Sequence, residues 1–477
     1  MYSAIAVAFL ILYLIVGVYA GRKTNSVSDY YVMSRSAPAY QICGTLIATN
    51  ASSVTLIGYT SDAFSMGPLP MVTMWGTTTI TSLILGLWIG KYLYRMNLST
   101  IPEFFVKRFP SKSVQLLASL IVLFSMVFYV VSVLLGTNVA LQSLLGWSPT
   151  VSLIVVLGLI TLFTVIGGMR SVVITDTVMF FVFMGSALFL GSAIFVNLGG
   201  FSSAIEKASE SFSHIFSWKG NMSFYAGFMH ILEINILSLI LVMGSPQLLS
   251  RMSIAKGERE LGKAMVYLAV LIPIFAIALV YSFGYLPLIN GTIDSTDAYP
   301  WVANNLVPTI VGALALSGVM AAAISTSSSL FQQAASTLSS DIYKRYFKPN
   351  MSDEEFLKVS RMSVVIIALF VLIFALIPQI GSASIVYAFL FATSAFAAWL
   401  PSLILGVLWK GATTKGSFWS MLVALMVTLS LGLTRMFEIT PDWLAPNVVG
   451  LITATVIMIV VSKADKQSST LIEDISI

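Results

Sequence analysis

The sequence predicts an all-α polytopic membrane protein. Three observations carry that prediction. Of 477 residues, 57% are hydrophobic and only 9% charged, where a soluble domain carries about 25% charged residues. Apolar blocks of about 18 residues or more recur along the whole length, each long enough to cross a bilayer as a helix. The basic residues gather on one side of the alternating blocks, which is the charge pattern of membrane topology.

Thirteen spans follow from the apolar blocks, at roughly 2–20 (α1), 37–65 (α2), 69–93 (α3), 114–136 (α4), 149–168 (α5), 171–198 (α6), 222–247 (α7), 264–288 (α8), 307–341 (α9), 357–378 (α10), 383–409 (α11), 416–436 (α12) and 445–462 (α13). No basic segment precedes α1, so a cleaved signal peptide is not expected. Placing the loop after α1 in the cytoplasm puts every lysine and arginine there except Lys207, Lys219 and Arg435. The N-terminus is then outside and the C-terminus inside, as in a bacterial-type inner membrane. The same distribution accounts for the net charge of +5 without a nucleic-acid partner. One cysteine, Cys43, rules out an internal disulfide and reads as packing. With only two histidines, His214 and His230, a zinc site has too few ligands.

The helices are punctuated. Gly58, Gly67 and Pro68 mark one end of α2, Pro273 lies in α8, Pro378 closes α10 and Pro401 lies in α11. The spans α4, α5, α8 and α10 are too apolar to line a continuous polar channel. α9 is the exception, because its middle is Ala, Ser and Thr. On a helix, Ala322, Ser325, Ser328 and Ser329 share a face bordered by Thr326. Such a face suits close helix packing. It equally offers hard oxygen ligands for a small cation.

Ionisable groups at membrane depth are functional candidates. Asp176 lies six residues past Arg170 in α6, about 9 Å into the membrane at helical rise. It needs a cation, a proton, strong hydrogen bonds, or a partner such as Arg170 or a neighbouring helix. Glu233 lies in the outer half of α7, where it is either functional or interfacial, and Asp62 lies near the outer mouth of α2. Asp341, beside Lys344 and Arg345, reads as a solvated helix end.

Four segments together carry a resemblance: LIATNASSVTLIG (46–58), VIGGMRSVVITDTVMFF (165–181), AAAISTSSSLFQQAASTLSSDIYKRY (321–346) and PSLILGVLWKGATTKG (401–416). In this order and spacing, over about residues 2–460, the chain resembles the sodium/solute symporter family. The resemblance implies a LeuT-type core of two inverted five-helix repeats, 37–199 and 200–415. Residues 1–36 and 416–477 would add peripheral helices, a loop and a cytoplasmic tail. It implies an interruption of α2 at Ala48–Ser53, where no Gly or Pro requires one.

The implied first Na⁺ site takes the carbonyls of Ala48, Ala51 and Ala322 and the hydroxyls of Ser325 and Thr326. A second, found in some members, would use Asp176, Ser328 and Ser329, with Ser325 shared. The alternative role for Asp176 is an ion relay. The family's sugar carriers have a Gln where Thr55 stands here, so a sugar is not expected. The remaining pocket candidates are Asn50, Ser52, Ser53, Thr55, Trp75, Tyr129, Gln247 and Ser394, with Trp399 nearby. The implied activity is Na⁺-coupled import of a small carboxylate or amino acid by a monomer that works in a lipid bilayer. The alternatives are a sensor or channel on the same fold, or a proton-coupled carrier. No nucleophile–base pair, metal cluster or nucleotide loop supports an enzyme.

Overall fold

The computed structural model describes residues 2–21, 32–220, 222–377, 385–436, 439–441 and 444–465. Regular structure among them is helical, apart from one isolated bridge between Ala37 and Ala255. Eleven helices are long and apolar enough to cross a membrane, and a bent pair makes a twelfth span. The apolar helix Tyr2–Gly21 is α1. The bent pair is α2, split into Ala39–Asn50 (α2a) and Val54–Met66 (α2b) at 59°. The others are α3 Pro68–Arg95, α4 Lys112–Leu145, α5 Pro149–Ile166, α6 Gly168–Asn197, α7 Phe224–Gly244, α8 Glu258–Leu288, α9 Thr309–Phe347, α10 Asp353–Ala375, α11 Ile385–Leu408, α12 Thr414–Met436 and α13 Pro446–Ala464.

Several helices outrun their apolar blocks. α4 reaches Leu145, α8 starts at Glu258 and α9 continues to Phe347. Hydropathy marks where lipid ends, whereas a helix continues through the polar interface for as long as its backbone stays paired. The expected boundaries near 378 and 383 lie outside the described residues. The chain turns between α5 and α6 at Gly168, whose φ of 60° and ψ of −172° suit a residue without a Cβ.

Burial sorts the helices. The membrane segments of α9 and α11 are 78% buried and that of α4 67%, against 39% and 33% for α12 and α13. α9 and α11 are therefore the most enclosed membrane segments among the described residues. Outward-facing side chains such as Ile80, Phe181, Val270, Phe370 and Met426 are exposed and apolar, as a lipid-facing surface requires. α1 docks on α5 and α6: Tyr13 stacks on Phe163 at 5.4 Å, and Ser171 Oγ donates to Gly17 O at 2.7 Å.

Two charged groups at helix ends are buried. The Arg108 guanidinium donates to the carbonyls of Gly406 (2.7 Å), Trp409 (3.2 Å) and Ala412 (3.3 Å), satisfying the C-terminal end of α11. Asp341, expected to be solvated, is 3% exposed. Its carboxylate accepts from Thr100 Oγ1 at 2.8 Å, and its carbonyl accepts from Gln115 Nε2 at 3.0 Å. The segment before α4 folds back under α9 and covers it, an arrangement that local charge spacing does not encode. Arg108→Ala removes three carbonyl partners at once and is expected to cost about 3 kcal/mol of stability. Thermal unfolding in detergent checks this, with an unchanged midpoint contradicting the assigned role.

Candidate functional site

The site begins with the interruption of α2. The Ser52 amide donates to Asn50 O at 3.0 Å rather than reaching back four residues to Ala48. Ala48 O is thereby released from the helical ladder. The short polar side chains that follow close the broken ends. Thr55 Oγ1 donates to Asn50 O at 2.7 Å, Ser52 Oγ accepts from the Val54 amide at 3.2 Å, and Ser53 Oγ donates to Val133 O on α4 at 2.7 Å. Gly136 lets α4 come this close, since a Cβ there would lie 2.9 Å from Ser53 Oγ. The polar run is what allows a helix without Gly or Pro to break inside a protein interior.

α9 packs its small-residue face on this break. Thr326 Oγ1 lies 3.4 Å from both Ala48 O and Thr49 O. Ala48, Ala51, Ala322, Ser325 and Thr326 are all buried. The carbonyl end of α2a and the α9 hydroxyls thus meet, and a helix C-terminus carries partial negative charge. A freed carbonyl and a loosely held hydroxyl are neutral oxygens of the kind a small hard cation takes.

Asp176 is a different environment. Its Oδ1 accepts from Ser325 Oγ. Its Oδ2 accepts from Thr45 Oγ1, from Arg251 Nη2 at 3.1 Å and, at 3.5 Å, from Thr49 Oγ1. Arg251 is itself fully buried. It donates further to Ser329 Oγ at 2.6 Å, to Thr45 Oγ1 at 2.7 Å and to Gln247 O. The partner of the carboxylate is therefore Arg251, not the nearer-in-sequence Arg170. The positive-inside count puts Arg251 in a cytoplasmic loop, but the segment after α7 tucks the guanidinium into the bundle. Ser328 Oγ donates into its own helix, to Ser325 O at 2.9 Å.

A small cavity adjoins the break. Asn50, Thr55, Tyr59, Met74, Trp75, Thr78, Tyr129, Ser238, Leu241, Val242 and Phe389 line it. Its volume is about 30 Å³, room for a water or two. Of the pocket candidates, Asn50, Thr55, Trp75 and Tyr129 line this cavity. Ser52 and Ser53 brace the α2 break instead. Gln247 lies by Arg251, and Ser394 Oγ donates to Phe391 O at 2.8 Å within α11. Trp399 is fully buried away from the cavity and donates to Gly244 O at 2.9 Å. Aromatic character at Tyr59 and Phe389 was not distinguishable from packing in the sequence; here their rings meet at 6.4 Å, with Tyr129 at 4.9 Å from Phe389. Thr78 and Ser238 share a hydrogen bond of 2.6 Å across α3 and α7. The buried Trp75 Nε1 has no hydrogen-bond partner, which makes it a donor available to a bound molecule. Asp62 is not part of the lining.

Glu233 belongs to neither site. Its carboxylate pairs with Arg435 of α12 at 2.7 Å, and Asn447 of α13 donates to its carbonyl at 3.2 Å. The pair ties α12 to α7, and the Asn447 bond ties α13 to it.

A broken helix facing a hydroxyl-rich central helix, in a bundle of this size, defines a membrane transporter with a LeuT-type core. The sequence model of the sodium:solute symporter family matches residues 30–424, and the chain belongs to that family. It is 24% identical to the osmoregulated proline transporter OpuE of Bacillus subtilis, over 94% of this chain and 93% of that one. It is 27% identical to the sodium/pantothenate symporter of Haemophilus influenzae, with 88% of each covered. A Na⁺-coupled sialic acid symporter, solved substrate-bound and outward-open, superposes with a TM-score of 0.82 at 18% identity over 99% of both chains. MhsT in complex with L-phenylalanine superposes at 0.54 and 14% identity, over 89% of this chain and 98% of that one.

Removing one member of the Glu233–Arg435 pair strands a charge among apolar side chains. Glu233→Leu is expected to cost about 3 kcal/mol, and adding Arg435→Met to recover most of it. Chemical unfolding in detergent measures both; a double variant no more stable than the single would refute the pairing as a stability element.

Proposed function

We propose that this protein imports a small amino acid or carboxylate together with Na⁺ by alternating access. The observation that carries the proposal is the contact between Thr326 and the freed Ala48 carbonyl at the α2 break. Ala48, Ala51 and Ala322 would supply carbonyls to the ion, and Ser325 and Thr326 hydroxyls. The ion then bridges α2, in the first repeat (37–199), and α9, in the second (200–415). Helices that must separate to open the cytoplasmic side are held together while it is bound, which favours the outward-facing state.

The cavity supports the substrate class. None of its lining residues is Lys, Arg, His, Asp or Glu. A net charge on the substrate would have no side-chain counter-ion there. A carboxylate is better served by the N-terminal end of α2b and by the bound cation. Trp75 Nε1, Asn50 and the Thr78–Ser238 pair would orient polar atoms, while Tyr59, Met74, Tyr129, Leu241, Val242 and Phe389 would cover an apolar body. The cavity is small, so a bulky side chain on the substrate would press on the aromatic rings that line it. Among the relatives, the proline and pantothenate symporters take substrates with a carboxylate, in keeping with this chemistry, whereas the sodium/glucose cotransporters do not.

The membrane potential would contribute about 2.3 kcal/mol per ion per 100 mV. Counterflow in proteoliposomes against a panel of small amino and carboxylic acids, in Na⁺ and in K⁺ at fixed pH, tests the reading. Uptake that persists in K⁺ and follows a pH gradient would overturn Na⁺ coupling. Thr326→Ala and Ser325→Ala are expected to raise the Na⁺ concentration for half-maximal uptake roughly tenfold or more, a loss of about 1.4 kcal/mol. Unchanged half-saturation in both would reject the site. Trp75→Phe keeps the ring and removes the donor. It is expected to weaken substrate binding several-fold, the worth of a lost hydrogen bond of about 1 kcal/mol, with Na⁺ activation unaltered.

A further inference from the structure

We propose that the Arg251 guanidinium takes the place of a second Na⁺, so that this chain carries one ion per cycle and Asp176 is neutralised from within. This deepens the reading above and rests on it.

The residues that a second ion would need are present, but a guanidinium already contacts two of them, Asp176 and Ser329. Both Asp176 oxygens accept hydrogen bonds, one from Ser325 and the other from Thr45 and Arg251. Ser329 Oγ accepts from Arg251 at 2.6 Å and donates to Ser325 O at 3.1 Å. Ser328 donates to the same carbonyl. A cation beside Asp176 would also stand within contact distance of a buried guanidinium. Two positive charges against one carboxylate leave a net charge in a fully buried site, which is costly. Ion and guanidinium are therefore alternatives at this place. Four recorded donor contacts hold Arg251 there, to Asp176, Ser329, Thr45 and the Gln247 carbonyl.

Arg251 stands on the short segment that joins α7 to α8, after the turn Pro246–Leu249. That segment also pairs with the chain before α2a, where the Ala37 amide donates to Ile254 O at 3.1 Å and the Lys256 amide to Ala37 O at 3.0 Å. The guanidinium thus reaches from this connection to α2 at Thr45, α6 at Asp176 and α9 at Ser329. It is a positioning residue that latches one end of the bundle while it neutralises Asp176. Opening that end would draw the charge out.

The test is a count of bound Na⁺ per purified protein by equilibrium binding of ²²Na⁺, alongside thermal unfolding in Na⁺ and in K⁺. The wild type is expected to bind one ion. Arg251→Gln is expected to bind two, the second lost again in Arg251→Gln/Asp176→Asn. Two ions in the wild type, or one in Arg251→Gln, would overturn the proposal while leaving Na⁺ symport intact. No bound ion in the wild type would overturn both readings. Should Arg251→Gln not fold, the charge-balanced double variant and Asp176→Asn keep the question decidable. Each should retain one ion, and a count below the wild type in Asp176→Asn would refute the assignment.

Discussion

The interruption of α2 is the constraint on which the rest of the structure depends. A helix broken in the bilayer interior exposes amides and carbonyls that lipid cannot satisfy, so each must find a partner in the protein. Here the partners are mostly local. Ser52 and Thr55 bond the broken ends, Ser53 ties the break to Val133 on α4, and Thr326 approaches from α9. This economy explains why α9 must be lined by Ala, Ser and Thr. Larger side chains would hold it off the break and leave the Ala48 carbonyl without a neighbour. It also explains why α9 is the most enclosed helix, with α11, and why Gly136 is needed where α4 presses on Ser53.

Two of the buried carboxylates are each matched by an arginine, Asp176 by Arg251 and Glu233 by Arg435. Each pair joins elements distant in sequence, and each leaves no net charge in a low-dielectric interior. The Ala48–Thr326 contact is the complement of these pairs. It offers oxygen without formal charge, so a cation can be attracted by partial charges and still leave. Tight binding by a bare carboxylate would slow release, whereas a site made of carbonyls and hydroxyls stays reversible.

Most of the transmembrane blocks and the special composition of α9 were legible in the sequence because hydropathy reports directly on the lipid environment; the expected thirteen spans compare with eleven candidate spans, or twelve with the bent pair, among the described residues. The α2 break was not legible from the residues themselves. Thr49, Asn50, Ser52, Ser53 and Thr55 read equally well as a polar patch on an intact helix, and only the resemblance singled them out. Arg251 lies on the α7–α8 connection, as charge counting has it, but such counting has no depth coordinate, and the connection turns the guanidinium back into the bundle. Asp341 was misread for a related reason, through burial supplied by Thr100 and Gln115 from other elements. The cavity was half legible. Asn50, Thr55, Trp75 and Tyr129 stand out as polar or amphipathic groups among apolar neighbours, while Tyr59 and Phe389 resemble ordinary core aromatics until their rings are seen to meet.

The contrast between the two charge environments bears on how voltage would act. An ion held at the α2 break by neutral oxygens adds its full charge to the membrane interior, so its entry and exit do electrical work against the potential. At Asp176 the balance differs. Exchanging a guanidinium for an ion leaves that site neutral before and after, and the charge that moves is carried by the protein. With the proposed latch in place, the transported charge would be that of the ion at the break, and the Arg251 segment would contribute only the displacement of its own charge between the bundle and its edge. A carrier built this way would gain a tight closure from a buried pair and would draw its driving force from one ion. A second carboxylate-bound ion would add driving force but would leave Asp176 uncompensated whenever that ion departed.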